Sequence, residues 1–316
     1  MVEEGYTSKF SYMRNYFLKK FGLSKTIKGI FFYNYRLLLR QFINLKNEKL
    51  LEINGHPFFT VPNDKGISEE LLMFKTHEPL STKILSKSLK SGMICLDIGS
   101  NIGYYACLES LIVGNSGKII AIEPSPINYK YLQKNASLQK IKNISTFNFA
   151  CGDYDGTIKF AISDRSNWSR VISEDLLDAP PDSIITEQEI PLVQVDTFLS
   201  EQKVEKIDFL RMDVEGYEYH ILKGCVKTIE KFRPFFHIEV HLFLLGSEKT
   251  LELFTLFRKI NYEVRYFIPR EMDVPLIGND NDIKKFTLRD LEIMLKNNDL
   301  PMNFLLFLVP NEPNSV

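Results

Sequence analysis

Residues Met93 to Tyr105 run Met-Ile-Cys-Leu-Asp-Ile-Gly-Ser-Asn-Ile-Gly-Tyr-Tyr, and this order leaves few folds open. A short apolar run carries an acid, Asp97, near its end and breaks at Gly99-x-Asn101-x-Gly103; an amphipathic helical pattern then follows. A buried strand feeding a helix through such a turn is the opening unit of an α/β sheet, with a nucleotide-type ligand at the carboxyl end of the strand. The turn also discriminates between ligands. A dinucleotide fold needs Gly-x-Gly-x-x-Gly, so that backbone can lie against a pyrophosphate. Here the middle glycine is Asn101, the last falls one residue early at Gly103, and Asp97 stands where a pyrophosphate would be repelled. A cofactor with a cationic head and no phosphate suits the turn better. S-adenosylmethionine carries an ammonium and a sulfonium, and its only anion is a carboxylate.

A second strand supports that choice. Gly117-Lys118-Ile119-Ile120-Ala121-Ile122 ends at Glu123-Pro124, 24 residues after Gly99. The two oxygens of Glu123 suit both ribose hydroxyls, and Pro124 removes a backbone donor and stops the strand at the acid. Asp97 is expected to face the ammonium group. Gly99, Asn101 and Gly103 let the backbone turn beside the cofactor, with Asn101 able to hold a positive φ. Asp153, in Gly152-Asp153-Tyr154-Asp155-Gly156, suits either the adenine amino group or a plain turn.

From 93 to 241 the pattern alternates. Strands are predicted near 94–98, 118–123, 144–150, 207–213 and 235–241, with helices near 102–112, 126–139, 217–230 and 248–260. Alternation of this kind predicts a mostly parallel sheet with helices on both faces. Strands at 262–268 and 303–309, with a helix at 288–296 between them, extend it and bring in a late antiparallel strand. The polar span 160–190, with Pro180-Pro181 and the only tryptophan, Trp168, reads as a long lid loop. Residues 51–92 form a lead-in, a hairpin turning at Asn54-Gly55 and then a helix from Ser81 to Leu89; residues 93–316 form the main domain.

Residues 1–50 stand apart. Nine lysines and arginines from Lys9 to Lys46 meet no acid, and phenylalanine and tyrosine lie among them. This is a basic, aromatic-rich helical extension that either packs on the core or makes peripheral contact with a membrane. The chain as a whole carries a formal net charge of −1, which does not favour a nucleic-acid binder. Four dispersed cysteines without Cys-x-x-Cys imply neither zinc nor a disulfide framework. With no long apolar run and no signal-peptide pattern, a cytoplasmic location is expected.

Ligands of open α/β sheets gather at the carboxyl ends of the strands. Those ends carry Asp97, Glu123, Asp153, Asp213-Val214-Glu215-Gly216-Tyr217-Glu218 and His237-Ile238-Glu239-Val240-His241. Glu239 and His241, two apart, face one side of their strand. With Asp213 they form the candidate catalytic set, His241 being able to titrate near neutral pH. A magnesium ion on Asp213, Glu239 and a further acid is an open alternative, not the preferred one.

The sequence resembles the FkbM-type, S-adenosylmethionine-dependent methyltransferases of the class I Rossmann-like fold. The resemblance rests on Leu96-Asp97-Ile98-Gly99-Ser100-Asn101-Ile102-Gly103-Tyr104-Tyr105, Ala121-Ile122-Glu123-Pro124, Val195-Asp196-Thr197-Phe198, Ile207 to Glu218, Leu222-Lys223-Gly224 and Ile238-Glu239. It spans roughly residues 70–245. Arg211 stands where the family usually has lysine. The resemblance implies O-methylation of a hydroxyl on a sugar, glycoconjugate or secondary metabolite, so the expected partner is a small-molecule or glycan acceptor. It also implies that Glu78 lies near the methionine end of the cofactor. Two alternatives stay open: an RNA methyltransferase, and an NAD-dependent oxidoreductase with an atypical glycine turn.

Overall fold

The computed structural model describes residues 2–174, 176 and 184–311, with side chains from Arg14 onward. Pro180-Pro181 lies outside the described residues. The chain opens with α1 (Val2–Arg40), broken at Gly22 (φ 77°), and a hairpin of β1 (Leu50–Ile53) and β2 (His56–Phe59). Helices α2 (Ile67–Phe74) and α3 (Pro79–Ser88) lead into the sheet. There follow β3 (Ile94–Ile98), α4 (Tyr104–Val113), β4 (Lys118–Ile122), α5 (Pro126–Leu138) and β5 (Ile144–Phe147). Next come β6 (Ala150–Gly152), β7 (Gly156–Ser163), β8 (Arg170–Val171), β9 (Ile184–Gln194) and α6 (Val195–Glu201). The chain then runs through β10 (Phe209–Met212), α7 (Glu218–Lys223), α8 (Val226–Phe232), β11 (Phe235–His241) and α9 (Leu242–Lys259), and ends with β12 (Tyr262–Pro269), α10 (Leu288–Lys296) and β13 (Asn303–Pro310).

Seven strands form the central sheet in the order β12-β13-β11-β10-β3-β4-β5. β5, β4, β3, β10 and β11 are parallel; β13 alone runs against them, and β12, antiparallel to β13, returns to their direction at the sheet edge, so the one late antiparallel strand expected is β13. β3 is flanked on one side by β4, its successor, and on the other by β10, far along the chain. The strand order therefore reverses at the carboxyl end of β3, the position where α/β sheets bind ligands.

The period of two in a strand sorts the two faces. Leu96, Ile98, Ile120, Ile122, Leu210, Met212, Phe236 and Ile238 enter one core layer. Cys95, Ile119, Ala121 and Phe209 enter the opposite one, under α4. Toward the carboxyl ends the second face turns from apolar to charged: Cys95 is followed by Asp97, Phe209 by Arg211, and Phe235 by His237, Glu239 and His241. Asp97 is paired in register with Arg211, and Arg211 with His237. The four cysteines are buried free thiols.

The span expected to be a lid loop holds more regular structure. β9 is an eleven-residue strand pairing antiparallel with β7, and β6, β9, β7 and β8 make a second sheet. Among the described residues, a short strap joins Ser163 to Arg170, with a 3-10 turn at Ser166–Trp168. The helix predicted at 217–230 is two helices, interrupted at Gly224-Cys225.

Candidate functional site

A cleft of about 570 Å³, open solvent at its mouth included, lies at the reversal point. Its floor is Gly99, Asn101 and Glu123, and Asp213, Glu215 and Tyr217 stand at one end. Ile122, Phe149, Phe160, Val171 and Ile221 supply an apolar wall, and the strap covers it with Ser166, Asn167 and Ser169.

The turn after β3 holds positive φ at Gly99 (79°), Asn101 (51°) and Gly103 (93°). The Gly99 backbone lies so close to the end of β10 that a Cβ there would collide with the Asp213 carbonyl oxygen. Gly99→Ala is therefore expected both to strain φ and to push β3 from β10, with loss of cofactor binding and of folded yield. Thermal unfolding and equilibrium binding of the cofactor measure the two effects.

Glu123 is buried at the end of β4. Its Oε2 accepts the Asn101 N–H (2.8 Å), and its Oε1 accepts the Ser125 N–H (2.9 Å) and faces the Asn128 amide (3.5 Å). Burial outweighs these donors and pushes its carboxyl up to about 7. A proton is thus held more tightly in the folded chain than in the unfolded one. The group's stabilising contribution is complete below pH about 4.5 and is lost as pH rises through 7. Relative to the parent, Glu123→Gln is expected to gain about 2–3 kcal/mol between pH 5 and pH 8. Chemical denaturation at the two pH values checks this.

The strap is tied down by groups that sequence reasoning passed over. Ser166 donates its N–H (2.8 Å) and Oγ–H (2.9 Å) to Asp64. The Ser166 carbonyl accepts from Asn101 Nδ2 (2.8 Å) and Asn128 Nδ2 (2.9 Å). Asp64 also accepts the N–H groups of Gly66 and Ser68, which opens α2. The only signal for this in the sequence was the turn at Pro62-Asn63-Asp64. Trp168 packs under the Arg165 guanidinium, 4.3 Å from the ring centre.

Asp97 does not stand free beside the cleft. Its Oδ1 accepts from Arg211 Nη1 (3.0 Å), and Oδ2 is buried without a partner. Arg211 Nη2 donates to Asp213 Oδ2 (2.9 Å), and its guanidinium lies 4.1 Å above the Tyr105 ring. Glu78 is buried in a separate part of the network, at a left-handed φ of 43° immediately before Pro79. It accepts from Tyr105 Oη (2.6 Å), and its other oxygen meets His77 Nε2 and Arg270 Nη2, each at 3.1 Å. The Arg270 Nε–H reaches Glu239 at 3.3 Å. Asp153 is paired with Lys223 (2.7 Å) and lies near His220 (3.4 Å), and it does not line the cleft.

Asp213, Glu239 and His241 are brought together, one ligand-type atom of each lying within 4.8 Å of the others. Glu215 and Glu218 complete the group. His241 Nδ1 meets Glu218 Oε1 at 2.6 Å, and Nε2 meets Glu215 at 3.3 Å, Glu239 at 3.6 Å and Asp213 at 3.9 Å. Burial opposes a charge on His241, and the carboxylates of Glu215, Glu239 and Glu218 overcome it, holding the imidazole well above its usual range. Burial and the neighbouring Asp213 push Glu239 up to about 8. His237, stacked on Phe307 at 4.3 Å, is lowered to about 3 by burial and is a neutral core residue.

The lining tests the two cofactor classes. Among the described residues no lysine or arginine lines the cleft, so a pyrophosphate would meet Glu123, Asp213 and Glu215, with Arg211 already taken up by Asp213 and Asp97. A cation-headed adenosine compound meets three carboxylates and an apolar lining. The pattern of the methyltransferase FkbM domain matches residues 97–264, more than half of the chain. The chain belongs to the FkbM methyltransferase family. It is an S-adenosylmethionine-dependent methyltransferase with a Rossmann-like fold.

Among its relatives is the hexuronic acid methyltransferase AglP of Haloferax volcanii, 22% identical over 197 residues, which cover 60% of this chain and 76% of that one. Methyltransferase 1 of Beauveria bassiana is 22% identical over 142 residues, 41% of this chain and 57% of that one. Among solved structures, the FkbM methyltransferase of Methylobacillus flagellatus aligns at a TM-score of 0.42 and 16% identity, covering 76% of this chain and 53% of that one. This chain thus spans about half the length of that protein.

Proposed function

We propose that this FkbM methyltransferase methylates a hydroxyl of a sugar or glycoconjugate, with Asp213 as the group that receives the hydroxyl proton. One observation carries the assignment. Of the three candidate catalytic side chains, only Asp213 lines the cleft, and Arg211 holds its Oδ2 while Oδ1 lies 3.9 Å from His241 Nε2. Glu239 and His241 are more deeply buried and act on Asp213 from behind. The name of the hexuronic acid methyltransferase relative supports a carbohydrate acceptor.

When bound, S-adenosylmethionine supplies an electrophilic methyl group that an in-line acceptor oxygen can take, with sulfur leaving as a neutral thioether. The chain itself supplies alignment and proton removal. Gly99 and Asn101 shape the floor, Glu123 stands at the ribose position, and the strap excludes water. Asp97 serves this site by holding Arg211, which in turn fixes the Asp213 carboxylate. Glu78 and Asp153 fit less direct roles, Glu78 through Arg270 and Glu239, Asp153 through Lys223. Incubation with methyl-labelled cofactor and a panel of uronate-containing and neutral glycans tests the reading. Labelled ether on a sugar hydroxyl supports it, and label on RNA or protein alone refutes it.

A divalent cation at Asp213, Glu239 and His241 is the second reading, favoured only by their proximity. His241 opposes it. Both ring nitrogens face carboxylates and the ring is held protonated, whereas a ligand nitrogen must be free of its proton. Turnover is accordingly expected to survive exhaustive chelation by EDTA within about twofold. Loss of activity restored by magnesium would reverse the assignment.

A further inference from the structure

From Lys25 to Arg40, helix α1 is held to the body by a row of contacts. Lys25 pairs with Asp282, Phe32 and Tyr35 lie against Phe74 at 5.5 and 6.4 Å, and Arg36 and Arg40 both clasp the buried carboxylate of Glu69. At 100° per residue these positions share one flank of the helix. Leu23, Ile27, Phe31 and Leu38 fall within an arc of about 80° on another flank, and Phe42 continues their line. Their exposures are 66, 58, 65, 51 and 79%. Half of the large apolar side chains exposed among the described residues lie between Leu18 and Phe42. An apolar surface of this extent on a protein otherwise well packed is a mark of contact.

Charge identifies the occupant. From Gly5 to Asn47 the sequence holds no aspartate or glutamate. Lys19, Lys28 and Lys46 are exposed, and among the described residues no carboxylate forms an ion pair with them. A second copy of this helix would bring like charges together along the stripe, with no acid to offset them. An anionic bilayer would take the apolar side chains below its headgroups and attract Lys28 beside the stripe and Lys19 and Lys46 at its two ends. No helix among the described residues is long and apolar enough to cross a membrane, so the contact would be interfacial.

We propose that the Leu23–Phe42 face of α1 docks this methyltransferase on an anionic lipid surface. The helix also bonds the segment that carries Arg270: Tyr16 Oη donates to Glu271 at 2.7 Å. The test is flotation of the full chain with vesicles of phosphatidylcholine alone or mixed equally with phosphatidylglycerol. The protein is expected to float with the mixed vesicles about tenfold more than with the neutral ones, and to be released by high salt. Phe31→Ser with Leu38→Ser, and separately Lys19→Glu with Lys28→Glu, should each abolish flotation while leaving cofactor affinity and the unfolding midpoint unchanged. Flotation unaffected by either pair, or no flotation at all, overturns the proposal. So does a dimer in solution that the Phe31/Leu38 pair dissociates without any vesicle binding, which would assign the face to a second copy. None of these outcomes depends on the identity of the methyl acceptor.

Discussion

Asp213→Asn is expected to lower kcat by about three orders of magnitude while changing S-adenosylmethionine affinity by less than about threefold. The amide keeps the shape of the carboxylate and one acceptor toward Arg211, so the end of β10 is not rebuilt. It cannot take a proton, and it removes the one charge in the cluster that both faces the cleft and is tied to an arginine. The split between turnover and binding separates a reacting group from a packing one. Single-turnover methyl transfer and calorimetric titration of the cofactor measure the two halves. Glu215→Gln is the control, since Glu215 lines the same cleft and holds His241. If Glu215→Gln stops turnover and Asp213→Asn keeps more than a tenth of it, the base is Glu215 and the assignment here is wrong.

Much of this arrangement was legible in the order of residues, and the exceptions have physical causes. The bounds of β3, β11 and α10 agree with expectation because each is a strongly patterned run. For α10, a capping box at Thr287 and Asp290 marks the start. α2 was not anticipated because it is only eight residues long and its start is fixed by Asp64 and Ser166, the latter remote in sequence. β9 was read as loop because Thr186-Glu187-Gln188-Glu189 is polar and lies on an exposed part of its sheet, so no apolar alternation betrays it. The meeting of Asp213, Glu239 and His241 follows from the period of two and the parallel order of β10 and β11. Arg270 carried no local signal. It reaches Glu78 and Glu239 only because β12, lying across β13 from β11 and running in the same direction, ends at Pro269 beside the carboxyl end of β11. Arg211 did carry one, a charge inside the apolar run Ile207–Met212, but its pairing with Asp97 depends on the register of β10 with β3.

That pairing makes Arg211→Met the most damaging single change to stability. Asp97 is fully buried, and its one salt bridge is to Arg211. Removing the guanidinium strands a carboxylate in a core flanked by Tyr105 and Cys95, a loss of about 3–5 kcal/mol. In a chain of this size the unfolding midpoint should fall by about 10 °C. If the loss arises from the stranded charge, three further results follow. Adding Asp97→Asn should restore most of the stability, because the amide needs no countercharge. Turnover should stay low in the double variant, because Asp213 has lost the group that orients it. The deficit of Arg211→Met alone should shrink as pH is lowered. Without its partner, the folded Asp97 binds a proton more tightly than the unfolded one, so stability is lost as pH rises. Arg211→Lys, which keeps the charge and resembles the usual residue of the family, should unfold close to the parent. A double variant no more stable than Arg211→Met would mean that the guanidinium acts through its stacking on Tyr105 and not through the buried charge.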